Sequence, residues 1–328
     1  MTPLNRLVFG SARRIALPIA VHPGAQLVGC TVREVATDAS AQARASQAIR
    51  ERLGLSVALS AMDLSVEAEA FGAEIRAADD EVPTVVGRRV TDVSHIASLA
   101  VPEVGAARTG VAIETVRQLA EGSGAPVVLG SLIGPFSLAG RLFGVSEFLE
   151  LTLEDPDATH ALLEKTTAFQ IDFARAQKQA GAHGVVMAEP SAGLLSPRGL
   201  ALFSSAYVRR IVAALDDDSF GILLHNCGAR IAHLPSILEA GARTCHFGAP
   251  MDLPAALART PPDVVVCGNL DPSAVFVALS PQEVEGRTRE LAAALAPFRN
   301  AALSSGCDVP PTAPIENLEA FVRAATAA

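Results

Sequence analysis

Residues 221–228 read GILLHNCG, an unbroken apolar run that passes into a histidine, a cysteine and a glycine turn. Alternating strands of a half-solvated sheet place a polar residue at every second position, whereas this run is apolar at each one. That pattern suits a parallel strand buried on both faces. Seven further stretches share its form, each ending in polar residues or glycine: IALPIAVHPG at 15–24, LSVALSAMDLS at 55–65, PVVLGSLIGP at 126–135, GVVMAEPSAG at 184–193, TCHFGAP at 244–250, VVVCGNLDP at 264–272 and ALSSGCDVPP at 302–311. Segments of helical character, such as 155–180, 197–216 and 281–299, lie between them. Eight such units predict an α/β fold of the (β/α)8 TIM-barrel type, with a doubly wound open sheet as the structural alternative. No linker, low-complexity tract or short repeat divides the chain, so residues 1–328 are read as a single domain.

Composition narrows the function. The chain has 328 residues, half of them apolar, and a net charge of −9, which argues against nucleic acid as the main partner because phosphate binding needs a concentrated basic surface. No apolar run reaches the roughly 20 residues that span a bilayer, and the N-terminus lacks the pattern of a secretory signal. Five scattered cysteines, Cys30, Cys227, Cys245, Cys267 and Cys307, suggest free thiols in a reducing compartment, and a cytoplasmic location is expected.

A barrel of this kind carries its chemistry at the C-terminal ends of its strands. There the chain places His22, Asp63, Glu189, His225, Cys227, His246, Asn269, Asp271, Cys307 and Asp308. In a strand, side chains i and i+2 share a face, so His225 and Cys227 point the same way. With Cys307 they make one imidazole and two thiolates, a donor set suited to catalytic zinc, which keeps one position for substrate or water. The ligands are widely separated in sequence, unlike the paired cysteines of a structural zinc module. Cys30, Cys245 and Cys267 read as small buried hydrophobes. His22, His95, His160, His183 and His233 read as structural or solvent-facing, whereas His246 sits at a strand tip within reach of the same cavity.

These residues carry a resemblance. HNCG at 225–228, CGNLDP at 267–272 and SSGCDVPPTAPIENLEAF at 304–321 resemble the zinc-dependent methyltransferase branch of the uroporphyrinogen decarboxylase superfamily, which includes methylcobamide:coenzyme M methyltransferases. AMDLSVEAEAFGAEI at 61–75, GPFSLAG at 134–140 and AEPSAGLLSP at 188–197 extend the match over most of the chain. The resemblance implies zinc held by His225, Cys227 and Cys307, activating a thiol that takes a methyl group from a methylcorrinoid. The chain has no D-x-H-x-x-G cobalamin signature, so a partner corrinoid protein or free cobamide is expected to dock over the barrel mouth. The acceptor would be a small molecule, coenzyme M or another such as tetrahydrofolate.

Two positions depart from the branch or complicate it. Coenzyme M enzymes are expected to carry an acidic residue just after the strand that here reads TCHFGAP, where this chain has Gly248 and Ala249. A fourth zinc position would then fall to water, His246 or Glu189. Asp63 falls where the resemblance places the catalytic aspartate of the decarboxylases, which keeps tetrapyrrole decarboxylation as the alternative activity. The arginine-rich N-terminal stretch of those enzymes is absent, and a substrate with eight carboxylates needs guanidinium clamps. Asp63 can instead accept hydrogen bonds from corrinoid or substrate, fix a loop, or cap the helix before VEAEAFG. Glu189 could orient the thiol, Asn269 could hydrogen-bond substrate or a corrinoid edge, and Asp308 could tune the metal from beside Cys307. Glu316-Asn317 reads as a helix start.

Overall fold

The computed structural model describes residues 1–327. Nine strands are present among them: β1 Val57–Leu59, β2 Glu74–Arg76, β3 Thr84–Val86, β4 Val127–Ile133, β5 Gly184–Ala188, β6 Gly221–Asn226, β7 Thr244–Phe247, β8 Val265–Leu270 and β9 Ala301–Ser305. β2 and β3 form a separate antiparallel pair, and the other seven make one all-parallel sheet in the order β1-β4-β5-β6-β7-β8-β9. In register, Ala188 of β5, His225 of β6 and His246 of β7 lie side by side.

Strand faces alternate between two apolar surroundings. Val57 and Leu59 of β1, Leu129 of β4, Val186 of β5, Leu223 of β6, Cys267 of β8 and Ala302 of β9 share one buried cluster with Leu17, Ile19 and Val21. Because the first and last strands of the order meet in this cluster, the sheet curls around it. The intervening residues, among them Val185, Met187, Ile222, Leu224, Cys245 and Phe247, pack outward in a second core with Phe169 and Phe173 of the covering helix Pro156–Gln179. Burial on both faces is the reason these strands are apolar at every position.

Seven regular strands are found where the sequence predicts eight closing as a barrel. The first predicted strand, 15–24, lies beside β9 without becoming a regular strand. Ala16 bridges Leu303 in parallel, the Leu17 N–H donates to the Leu303 carbonyl at 2.8 Å, and the Leu303 N–H donates to the Ile15 carbonyl at 3.0 Å. Pro18 then interrupts the ladder, having no N–H to give. Side chains take over around it: Ser304 Oγ donates to the Leu17 carbonyl at 2.5 Å, and the Ile19 N–H donates to Ser305 Oγ at 3.0 Å.

The predicted helices have local causes. Helix Pro156–Gln179 begins where Asp155 accepts from the Ala158 N–H, with proline in its first turn, and helix Pro281–Leu295 begins at a Ser280/Glu283 capping box. The 197–216 stretch is broken into Pro197–Leu200, a π-helical turn Ala201–Ser205 and Ala206–Leu215.

One buried acid contributes a pH dependence. Glu67 accepts from the Ile133 N–H at 2.8 Å through Oε1, while its buried Oε2 has no hydrogen-bond partner. Burial pushes this carboxyl up to about 8. The unfolded chain returns it to about 4.3, so the folded form holds the proton more tightly and stability falls as pH rises between these values. Glu67→Gln keeps an acceptor for Ile133, and is expected to flatten this fall and to stabilise the protein at pH 8 by several kcal/mol, ~4 at most. Urea midpoints of both proteins at pH 5 and pH 8 check it, the gain being confined to the higher pH.

Candidate metal centre

His225 is the fifth residue of β6, Cys227 follows that strand, and Cys307 lies two residues beyond β9. Their ligand atoms fall within 4.8 Å of one another, the one such His/Cys/Asp/Glu group among the described residues. Two glycines permit the approach. A Cβ at Gly248 would lie 2.2 Å from the Cys227 carbonyl oxygen, and one at Gly306 would lie 3.0 Å from the Ala249 nitrogen. The turns after β6, β7 and β9 therefore pack backbone to backbone, which carries Cys227 and Cys307 inward together. The same contact bars a side chain, acidic or otherwise, from position 248 without a backbone shift.

The two thiols interact unequally. A hydrogen bond from Cys307 holds the Cys227 thiol below its ordinary range against burial, and the same bond pushes the Cys307 thiol up. The two sulfurs are close enough to share one proton. His225 is buried, its Nδ1 lies 2.8 Å from Nδ1 of His246, and its Nε2 is buried without a hydrogen-bond partner. Two sulfurs and an unpartnered imidazole nitrogen, all within a few ångström, are a donor set that fits zinc.

The other predicted residues occupy different positions. His246 is fully buried with both nitrogens engaged, Nδ1 by His225 and Nε2 by Ser304 Oγ at 2.7 Å, so it turns neither toward the sulfurs. Burial, and then the neighbouring His225, push this imidazole well below its ordinary range, leaving it neutral. Glu189 does not reach the sulfur cluster. Its buried carboxylate accepts from the Phe136 N–H at 3.0 Å, the Ser137 N–H at 2.9 Å and Ser137 Oγ at 2.7 Å, and so caps helix Pro135–Phe143. Asn269 donates to the carbonyls of Gly248 and Met251, tying down the turn after β7. Asp271 accepts from the Ser273 and Ala274 N–H groups in a turn. Asn317, at the start of helix Ile315–Thr326, donates to the carbonyls of Phe276 and Leu279.

Asp63 is held in an ion pair. Its Oδ1 accepts from the Ser65 N–H and hydroxyl, and its Oδ2 from Nη1 of Arg108. Arg108 also donates to Glu69 at 2.6 Å and to Ser65 Oγ at 2.8 Å. Asp63 is therefore a loop-fixing group, and the helix Val66–Ala70 has Ser65 at its cap position. Sequence reasoning missed Arg108, which stands in an unremarkable ARTG stretch, and left His22 as structural or solvent-facing; it is structural. The latter is fully buried, with Nδ1 3.0 Å from Oδ2 of Asp308 beside Cys307. Burial alone would lower this imidazole, but Asp308, and then Asp63, raise it above its ordinary value. Its place at the tip of the first apolar segment was legible, but its pairing with Asp308 was not.

Known proteins align with this arrangement over nearly the whole chain. The methylcobamide:CoM methyltransferase MtbA of Methanosarcina mazei is 28% identical over 296 residues, 89% of this chain and 86% of that protein. A uroporphyrinogen decarboxylase of Nocardia farcinica is 31% identical over 250 residues, 74% of this chain and 68% of that one. Among solved structures, a methyltransferase from Methanosarcina mazei superposes with a TM-score of 0.88 at 22% identity, covering 98% of this chain and 96% of that chain. The family model for uroporphyrinogen decarboxylase (URO-D) matches residues 14–328. A curled parallel sheet, a match of that extent and relatives on both sides of the family converge on one assignment: the chain belongs to the uroporphyrinogen decarboxylase family.

Proposed function

We propose that this protein is a zinc-dependent methyltransferase that moves a methyl group between a methylcorrinoid and a small thiol of the coenzyme M type. The observation that carries the reading is the convergence of His225, Cys227 and Cys307 within 4.8 Å, from the ends of two strands far apart in sequence. The methylcobamide:CoM methyltransferase named above supports it by its activity. Residues 1–328 act in this reading as one barrel domain, with segment 15–21 taking the eighth strand position. The corrinoid arrives on a partner protein or as free cobamide in the cytoplasm.

Zinc, when bound, supplies a dication that favours the deprotonated form of an acceptor thiol. The chain's own residues prepare for it. His225, Cys227 and Cys307 would hold it, the two sulfurs as thiolates and His225 through the buried nitrogen that has no hydrogen-bond partner. In the transfer the acceptor sulfur, having lost its proton, forms the S–CH3 bond. The cobalt–carbon bond breaks and its electron pair stays on cobalt as Co(I). Asn269 and Glu189 keep the surrounding turns and helix start in place.

Decarboxylation is less well supported. Both oxygens of Asp63 are engaged by Ser65 and Arg108, so this carboxylate is not presented to pyrrole N–H groups. Incubation of zinc-loaded protein with methylcobalamin and a panel of thiols, coenzyme M included, and tetrahydrofolate tests the choice through loss of the methyl-cobalt absorbance. Demethylation that requires a thiol is expected; conversion of uroporphyrinogen by metal-free protein, with no demethylation, would contradict it.

A further inference from the structure

A chain of three hydrogen bonds crosses the inner face of the curled sheet from the first segment to His225, by way of β9 and β7. Ser304 of β9 donates its single hydroxyl proton to the Leu17 carbonyl, an acceptor that has no proton to give. Toward His246 of β7 the Ser304 oxygen can then only accept, so Nε2 of His246, 2.7 Å away, carries the hydrogen. A neutral imidazole has one N–H, which leaves Nδ1 of His246 bare. That atom lies 2.8 Å from Nδ1 of His225, and the contact is a hydrogen bond only if His225 carries its proton there. Nε2 of His225 is left with a free lone pair, and it is the nitrogen that is buried without any partner.

We propose that His246 and Ser304, anchored on the Leu17 carbonyl, fix the tautomer and orientation of His225 so that its Nε2 is held ready for a metal shared with Cys227 and Cys307. His246 is thus a positioning residue, not a ligand. The inference rests on the metal reading given above, and adds to it a part for segment 15–21, whose carbonyl sets the direction of every proton in the chain. Partners of this kind, hydrogen-bonded to the far nitrogen of a ligand histidine, typically contribute about 10–100-fold in metal affinity.

Two measurements test it. Long-range 15N–1H spectra of metal-free wild-type protein should show His225 protonated on Nδ1 and His246 on Nε2; a proton on Nε2 of His225 would overturn the proposal. Competition with a chromophoric chelator should then show zinc bound roughly 10–100-fold more weakly by His246→Leu. His246→Asn, whose Oδ1 replaces Nδ1 as acceptor, should recover most of that loss, which a mere packing defect would not. Equal zinc affinity in wild type and His246→Leu would overturn the relay and leave the metal reading intact. A wild-type protein that holds no zinc would instead overturn the metal reading and the relay with it. Should His246→Leu fail to fold, the asparagine variant and the wild-type spectra decide.

Discussion

Cys307→Ala is expected to leave the protein folded, to strip it of zinc on dialysis and to lower methylcobalamin demethylation by about 10³-fold or more, the equivalent of roughly 4 kcal/mol. Cys307 lies in a turn beyond β9 and is only partly buried, so replacing its sulfur with a methyl group asks little of the core. It does remove one of three donors and the hydrogen-bond partner of Cys227. Two donors from one strand, His225 and Cys227, make a poor site for an ion that takes four ligands. Elemental analysis after dialysis, circular dichroism and the absorbance assay together read the three expectations. Full zinc occupancy in the variant would place the metal elsewhere.

Arg108→Met should be strongly destabilising although it lies outside the metal centre. It leaves the buried Asp63 carboxylate with only Ser65, and Glu69 loses its partner as well. Breaking one side of a buried pair costs about 3–5 kcal/mol, since the remaining charge stays uncompensated. A chain of this size would lose roughly 6 °C in melting temperature. The double variant Asp63→Asn with Arg108→Met should recover part of this loss, because no unpaired charge is then buried. Urea unfolding of the two proteins measures the difference. A single variant within about 0.5 kcal/mol of wild type would show that the pair does not hold the loop after β1.

Much of this arrangement was legible in the sequence for reasons that are local. A strand buried on both faces has to be apolar throughout, and seven of the eight predicted strands are regular for that reason. The eighth was misread because Pro18 lies inside an otherwise apolar run and removes a ladder donor just where Ser304 and Ser305 supply side-chain substitutes. His225 and Cys227 declared themselves through a spacing of two. Arg108 did not, because its partner lies 45 positions earlier and its own surroundings carry no pattern. Glu189 and His246 stood at strand tips in the right layer, but what occupies them is a helix start and a neighbouring ring, and neither is written in the residues beside them. His22 was hidden in the same way, its partner Asp308 lying at the other end of the chain.

X-ray absorption at the zinc edge of the loaded wild-type protein tests the central claim most directly. Two sulfurs at about 2.3 Å and a histidine nitrogen at about 2.0–2.1 Å are predicted, with one sulfur lost in Cys227→Ala or in Cys307→Ala. A shell of nitrogen and oxygen alone, or a spectrum unchanged by either substitution, would contradict it.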